Sequence, residues 1–155
     1  LSWSVKVNEK INALPFDVKK PFEGVQEALA YAHEKADIAI VSSANLQAVE
    51  EEWELYGLLK HVDILLAQDT GSKAFCIREL VKKGYETGKV LMTGDAPGDY
   101  EAAEKGGVSF YPILVRREKE SWAEFQREAV PRLLDGSYGG MYQVKKVAEF
   151  MDNLK

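Results

Sequence analysis

The stretch Val90-Leu-Met-Thr-Gly-Asp-Ala-Pro-Gly-Asp99 decides the fold, because it reads as a buried strand that passes directly into a helix. Its opening apolar run is too short for a helix and is typical of a strand inside a sheet. Pro97 suits the first turn of a helix, where its missing N–H is not needed. The pattern therefore places Asp95 on the turn after the strand and Asp99 in the first turn of the helix.

The two carboxylates of this stretch have two interpretations. In open α/β sheets, ligands bind in the crevice beyond the carboxyl ends of the strands. Asp95 and Asp99 at such a place suit a hard cation with oxygen ligands, above all Mg²⁺. The alternative is structural, because a carboxylate at a helix start can cap backbone N–H groups and interact favourably with the helix dipole. The sequence alone leaves both interpretations open.

Short apolar strands and amphipathic helices alternate along the rest of the chain. Such alternation predicts a parallel sheet with helices on both faces and right-handed crossovers. No solenoid repeat and no interdomain linker interrupts the pattern. The predicted strands cover residues 38–41, 63–67, 90–92 and 108–115, and the predicted helices cover about 25–35, 45–57, 73–84, 97–106, 121–133 and 141–154.

The composition excludes several classes of partner and of cysteine-based site. The 155 residues carry a formal net charge of −5 without a long basic run, so neither nucleic acid nor an anionic membrane is an expected partner. A single cysteine, Cys76, excludes an internal disulfide and a cysteine-rich metal site. No apolar run reaches the ~20 residues needed to span a bilayer. We therefore expect a cytoplasmic protein without membrane contact.

Three polar loops are expected at one rim of the sheet, because each follows a predicted parallel strand. The first loop offers the hydroxyl groups of Ser42 and Ser43, the second offers Lys73, and the third offers Asp95 and Asp99. Hydroxyl and backbone N–H groups bind phosphate oxygens, a lysine neutralises phosphate charge, and carboxylates hold a divalent cation. The sequence therefore predicts a phosphate site beside a metal site.

These loops resemble the motifs of a known family, the haloacid dehalogenase-like hydrolases. The segments 41–45, 71–73 and 94–99 are similar to the second, third and fourth motifs of that family. Pro21-Phe-Glu-Gly-Val25 is similar to the stretch with which the family re-enters its core domain after a cap insertion. The resemblance covers roughly residues 21–115.

The resemblance implies a fold and a division of the chain. The expected fold is α/β, a Rossmann-like, HAD-like three-layer sandwich with a mainly parallel sheet. Residues 21–155 would form the HAD-like core domain, and residues 1–20 would be a cap remnant or a linker.

The resemblance also implies Mg²⁺-dependent phosphoryl transfer through an aspartyl-phosphate. Ser42, together with Ser43, would bind the phosphoryl group, and Lys73 would offset its charge and steady the nucleophile. Asp95 would ligate Mg²⁺, and Asp99 would support that ligation directly or through another ligand.

The first motif of the family, a strand ending in Asp-x-Asp, is not found upstream of residue 21. The only acidic candidate is Asp17, but Lys19 stands at the second position of the motif and no strand-like run precedes it. We therefore expect that the chain lacks its catalytic aspartate and the central strand that would carry it.

Two explanations account for the missing motif. The chain is either the carboxyl-terminal part of a phosphatase acting on a small phosphorylated metabolite, inactive by itself, or a noncatalytic module that binds phosphate or a phosphorylated ligand. A receiver-type signalling domain agrees less well, because its acidic, hydroxyl and lysine positions follow a different order. A sheet without its centre would expose two unpaired edges. We expect a separate peptide, a neighbouring chain or residues 1–20 to fill that slot.

Overall fold

The computed structural model describes residues 11–17, 24–42, 44–67 and 71–154. Its centre is a five-stranded sheet in the order β3-β2-β1-β4-β5, and every neighbouring pair is parallel. The predicted α/β class and parallel sheet are therefore confirmed. The strands are β1 (Ala13–Asp17), β2 (Asp37–Val41), β3 (Ile64–Leu66), β4 (Leu91–Gly94) and β5 (Ser109–Pro112).

Helices follow the strands and cover both faces of the sheet, as the alternation predicts. A π-helical turn at Phe125–Ala129 leads into the helix that contains Pro131. Within the described parts of the chain, every helix is too short or too polar to traverse a lipid bilayer. The helices are α1 (Val25–Lys35), α2 (Leu46–Leu55), α3 (Lys73–Lys82), α4 (Pro97–Gly106), α5 (Glu118–Glu124), α6 (Val130–Asp135) and α7 (Met141–Asn153).

The central position of the sheet is occupied by β1, so the prediction that the chain lacks its own central strand is wrong. Of the three fillers that we considered, a segment within residues 1–20 takes the slot. Phe16 pairs with Ile40 of β2 on one side and with Thr93 of β4 on the other. Residues 13–17 are thus part of the core rather than of a linker or cap remnant, and the core domain starts before residue 21.

Pro15 explains why this strand is difficult to recognise. A proline inside a central strand is unusual, because it has no N–H for the hydrogen-bonded ladder. Ala13 bridges Val90, and pairing with β4 resumes in the same register at Phe16, so the described pairing is interrupted at residues 14 and 15. On the other side, residues 13–16 pair with β2 without a break. The strand therefore forms with one incomplete ladder.

Aromatic packing fixes β1 from one face. The Phe16 ring lies 5.9 Å from the Trp122 ring and 5.6 Å from the Phe125 ring, between centroids. All three side chains are buried, and burial of such rings contributes much of the energy of a core. On the opposite face, Ala13 packs in a cluster with Val41 and Cys76, so the cysteine is a buried core thiol. This packing holds the last residue of β1, Asp17, at the carboxyl edge of the sheet.

Candidate functional site

The carboxyl ends of the three central strands bring the predicted site residues to one edge. Asp17 is the last residue of β1 and pairs with Gly94, the last residue of β4. Asp95 comes directly after β4, and Ser42 comes directly after β2. Because neighbouring strands lie about 4.8 Å apart, these strand ends form one continuous rim.

Lys73 reaches this rim from the start of α3. The helix begins there because the Ser72 hydroxyl accepts the N–H of Phe75 at 3.1 Å and so caps the first turn. The Lys73 ammonium forms an ion pair with the Asp17 carboxylate and donates to Asp99 Oδ1 at 2.9 Å. One ammonium therefore joins two carboxylates that come from separate elements.

Asp99 is held rigidly in this cluster. Its side chain is 0% exposed, and its second oxygen, Oδ2, accepts the N–H of Ala96 at 3.1 Å. The capping interpretation of Asp99 is thus confirmed. Gly94 makes room for the carboxylate, since a Cβ atom at that position would overlap it.

Burial and charge shift the protonation of this cluster. The pKa of Asp99 is raised from 3.8 to about 7, mainly by burial and also by the neighbouring Asp17, while Lys73 opposes the rise. Burial alone would lower the pKa of Lys73, but its hydrogen bonds with Asp17 and Asp99 outweigh that effect and raise it. Lys73 is therefore a stable cation that balances the two carboxylates.

Ser42 lies half-buried in the loop after β2. Its backbone N–H donates to the Leu66 carbonyl at 3.0 Å, and its hydroxyl oxygen accepts the N–H of Ala44 at 3.1 Å. Because the hydroxyl acts here as an acceptor, its own proton can be donated to a ligand oxygen. Ser43, the other predicted phosphate-binding residue, lies outside the described residues.

The described residues hold no preformed cluster of metal-ligating side chains. Within residues 11–17, 24–42, 44–67 and 71–154, no three His, Cys, Asp or Glu side chains are grouped so that they could hold a metal ion. Asp17 and Asp99 are both bound to Lys73, and Asp99 also accepts a backbone N–H. The roles of Asp95 and Asp99 as metal ligands remain predictions.

Asp17 is a rim residue that we did not expect. We identified it as the only acidic candidate but rejected it, because Lys19 stands at the second position of the motif and we recognised no strand-like run before it. The signal that could have supported it is the short apolar run of residues 13–16 immediately before the carboxylate.

Comparison with known proteins identifies the family. The family model described as haloacid dehalogenase-like hydrolase matches residues 3–113 of the 155. A search of curated proteins found no match. The match covers all five strands of the sheet and the rim residues between them. On this evidence the chain belongs to the haloacid dehalogenase-like hydrolases, the family that its loop motifs resemble.

Proposed function

We propose that this hydrolase is a phosphatase for a small phosphorylated metabolite, with Asp17 as its nucleophile. The observation that carries the proposal is the ion pair between Asp17, at the end of the central strand, and Lys73. The pair supplies a carboxylate that can attack phosphorus and a cation beside it that can balance phosphate charge.

The proposed reaction has two steps. An Asp17 carboxylate oxygen attacks the phosphorus atom, and the bond from phosphorus to the leaving alkoxide breaks as the alkoxide takes a proton from water. A water molecule then attacks phosphorus in the aspartyl-phosphate, which releases inorganic phosphate and regenerates the carboxylate. Lys73 stabilises the negative charge on the phosphoryl oxygens in both steps, and the Ser42 hydroxyl donates to one of them.

Position 19 differs from the family pattern, and this affects both steps. The resemblance implies a second carboxylate there as general acid and base, but the residue is Lys19. Water must then serve as the proton donor, so we expect turnover to be slow. Magnesium enters only as an implication of the resemblance, with Asp95 as the candidate ligand, and no step depends on it.

The test is hydrolysis of a generic phosphomonoester by the full chain, measured with and without Mg²⁺. We expect Asp17→Asn to abolish phosphate release and to prevent phosphorylation of the peptide that contains residue 17, detected by mass spectrometry after an acid quench. Asp135→Asn is the matched control, because Asp135 is an exposed residue at the end of α6, where its carboxylate accepts the N–H of Ser137. Equal activity in wild type and Asp17→Asn would refute the assignment of the nucleophile.

A noncatalytic phosphate-binding module is the second candidate, and Lys19 is the observation that favours it. This alternative predicts that the chain binds inorganic phosphate, that Lys73→Ala weakens the binding, and that no phosphomonoester is hydrolysed. Calorimetric titration of phosphate, carried out beside the activity assay, separates the two candidates.

A further inference from the structure

We infer that a cavity between α4 and α7 binds a small organic cation, in which an amidinium or ammonium group is attached to an apolar body. The cavity has a volume of about 440 Å³, which lies within the range of about 300–1,000 Å³ that small-molecule sites occupy. Its lining comes from α4, the start of β5 and α7, and includes Tyr100, Glu104, Phe110 and Val144.

The cavity lies away from the proposed phosphate site. Gly107 and Val108, which belong to its lining, come directly before β5 and so lie near the amino end of a strand. The phosphate site is proposed at the carboxyl ends of the strands of the same parallel sheet. α4 therefore runs from the rim back to the cavity, and a ligand in the cavity would leave the phosphate position vacant.

Aromatic rings form the floor of the cavity. The Tyr100 ring lies 5.4 Å from the Phe110 ring between centroids, and the Phe150 ring lies 5.3 Å from that of Phe110. Phe110 is buried, whereas Tyr100 is only half-buried, so part of its side chain can contact a ligand. Such rings pack against an apolar body, and their faces attract a cationic group.

Glu104 gives the cavity a preference for positive charge. All the lining residues are described, and Glu104 is the single charged residue among them. The Tyr100 hydroxyl donates to its Oε2 at 2.9 Å, and in the described part of the chain this is the only hydrogen bond or ion pair of the Glu104 side chain. The second oxygen, Oε1, can therefore accept a hydrogen bond from a cationic ligand.

The end of α4 at which Glu104 stands disfavours a negative charge. Glu104 lies in the last turn, where the helix dipole is negative, and the helix ends at Gly107. The carboxylate and the helix terminus together repel an anion and attract a cation. A bound cation would thus compensate an arrangement that is otherwise unfavourable for the helix.

The test is calorimetric titration of the full chain with benzamidinium, a planar cation attached to an aromatic ring. Benzamide has nearly the same shape without a charge, and benzoate carries a negative charge. We expect saturable binding of benzamidinium that is at least about threefold tighter than binding of either analogue, the contribution of one partly solvated ion pair. Excess inorganic phosphate at constant ionic strength should leave the affinity for benzamidinium unchanged, because the two sites are separate.

Two pairs of variants locate the cation in the cavity. Glu104→Gln should weaken the binding of benzamidinium by at least about threefold. Glu101→Gln is the matched control, because Glu101 is an exposed residue of the same helix outside the lining. Val144 is 65% exposed and tolerates replacement, and Val144→Arg should weaken binding more than Val144→Met, because the new guanidinium competes with the ligand.

Thermal unfolding without ligand gives an independent readout. Val144→Arg should have a higher melting temperature than Val144→Met, because its guanidinium pairs with the Glu104 carboxylate, and adding Glu104→Gln to both should remove the difference. Three outcomes would overturn the inference: no saturable binding of benzamidinium, equal affinities for benzamidinium and benzamide, or equal weakening by Glu104→Gln and Glu101→Gln. None of these measurements involves turnover, so they are independent of the proposed phosphatase activity.

Discussion

Gly94 shows at the scale of one residue how the backbone makes room for the charged cluster. The Asp99 carboxylate lies where a side chain at position 94 would begin, and Gly94 also pairs with Asp17 across the β1–β4 ladder. A larger residue there must displace the carboxylate or part the strands. Either change would disturb the contact of Asp99 with Lys73.

We therefore predict that Gly94→Ala destabilises the protein by about 1–3 kcal/mol, the usual cost of overpacking a core. Gly98→Ala is the matched control, because a Cβ atom there meets nothing within 4 Å and replacing a helical glycine removes freedom from the unfolded chain. Urea denaturation of the two variants measures the free energies of unfolding. Equal stability of both would contradict the close approach of residues 94 and 99.

At the scale of one element, β1 contains a proline, which is unfavourable in a strand. It nevertheless occupies the centre of the sheet, where both of its edges face a neighbouring strand. The backbone carbonyl of Asn12 accepts the N–H of Asp37 in β2. The backbone N–H and C=O groups of successive residues point alternately to the two neighbouring strands. Because Asn12 faces β2, the backbone of Pro15 faces β4. The pairing interruption at residues 14 and 15 lies on that side. Pro112 in β5 differs, since the neighbouring Ile113 donates to Gly94 and Pro112 faces the outer edge of the sheet, away from β4.

These two prolines give a matched experiment. Pro15→Val supplies an N–H to the β1–β4 ladder, whereas Pro112→Val supplies one at the outer edge of the sheet, where no strand pairs with β5. Both substitutions increase the conformational entropy of the unfolded chain to the same extent. We expect Pro15→Val to be the more stable variant by about 1 kcal/mol, the net value of one hydrogen bond. Guanidinium unfolding curves would decide, and a less stable Pro15→Val would mean that β1 does not pair with β4 as described.

For the whole molecule, stability should depend on pH through the buried cluster. The folded-state pKa of Asp99, about 7, lies above its ordinary value of 3.8 because of burial and the nearby Asp17. The folded chain therefore binds this proton more tightly than the unfolded chain. The resulting stabilisation is complete below the ordinary pKa and is lost as the pH rises through the folded-state pKa.

Asp99→Asn cannot titrate at this position and should lack this dependence. We expect the free energy of unfolding of wild type, relative to Asp99→Asn, to fall by more than about 1 kcal/mol between about pH 4 and about pH 8. Urea denaturation at a series of pH values measures it. Parallel pH profiles for the two proteins would show that the Asp99 carboxyl is not perturbed.

Most of the architecture could be predicted from the sequence, because alternating elements with clear periodicity specify a parallel sheet. The prediction of α1 agrees with the structure at both ends, 25 and 35. The central strand could not be predicted, since Pro15 argues against it and only its burial between β2 and β4 compensates. The shared rim was inferred from loop order, but the bridging of Asp17 and Asp99 by Lys73 depends on tertiary packing that no local pattern records.

The order of the strands also bears on how the polypeptide emerges from the ribosome. β2 follows β1 in the sequence after a single helix, α1. The second neighbour of β1 in the sheet, β4, begins only at Leu91. A nascent chain must therefore carry β1 with one side unpaired until β4 has been synthesised, because such distant pairings form late. Pro15, which has no backbone N–H to donate, faces β4 and therefore lies on that unpaired side. The proline thus makes the exposed side a poorer template for pairing with other nascent chains.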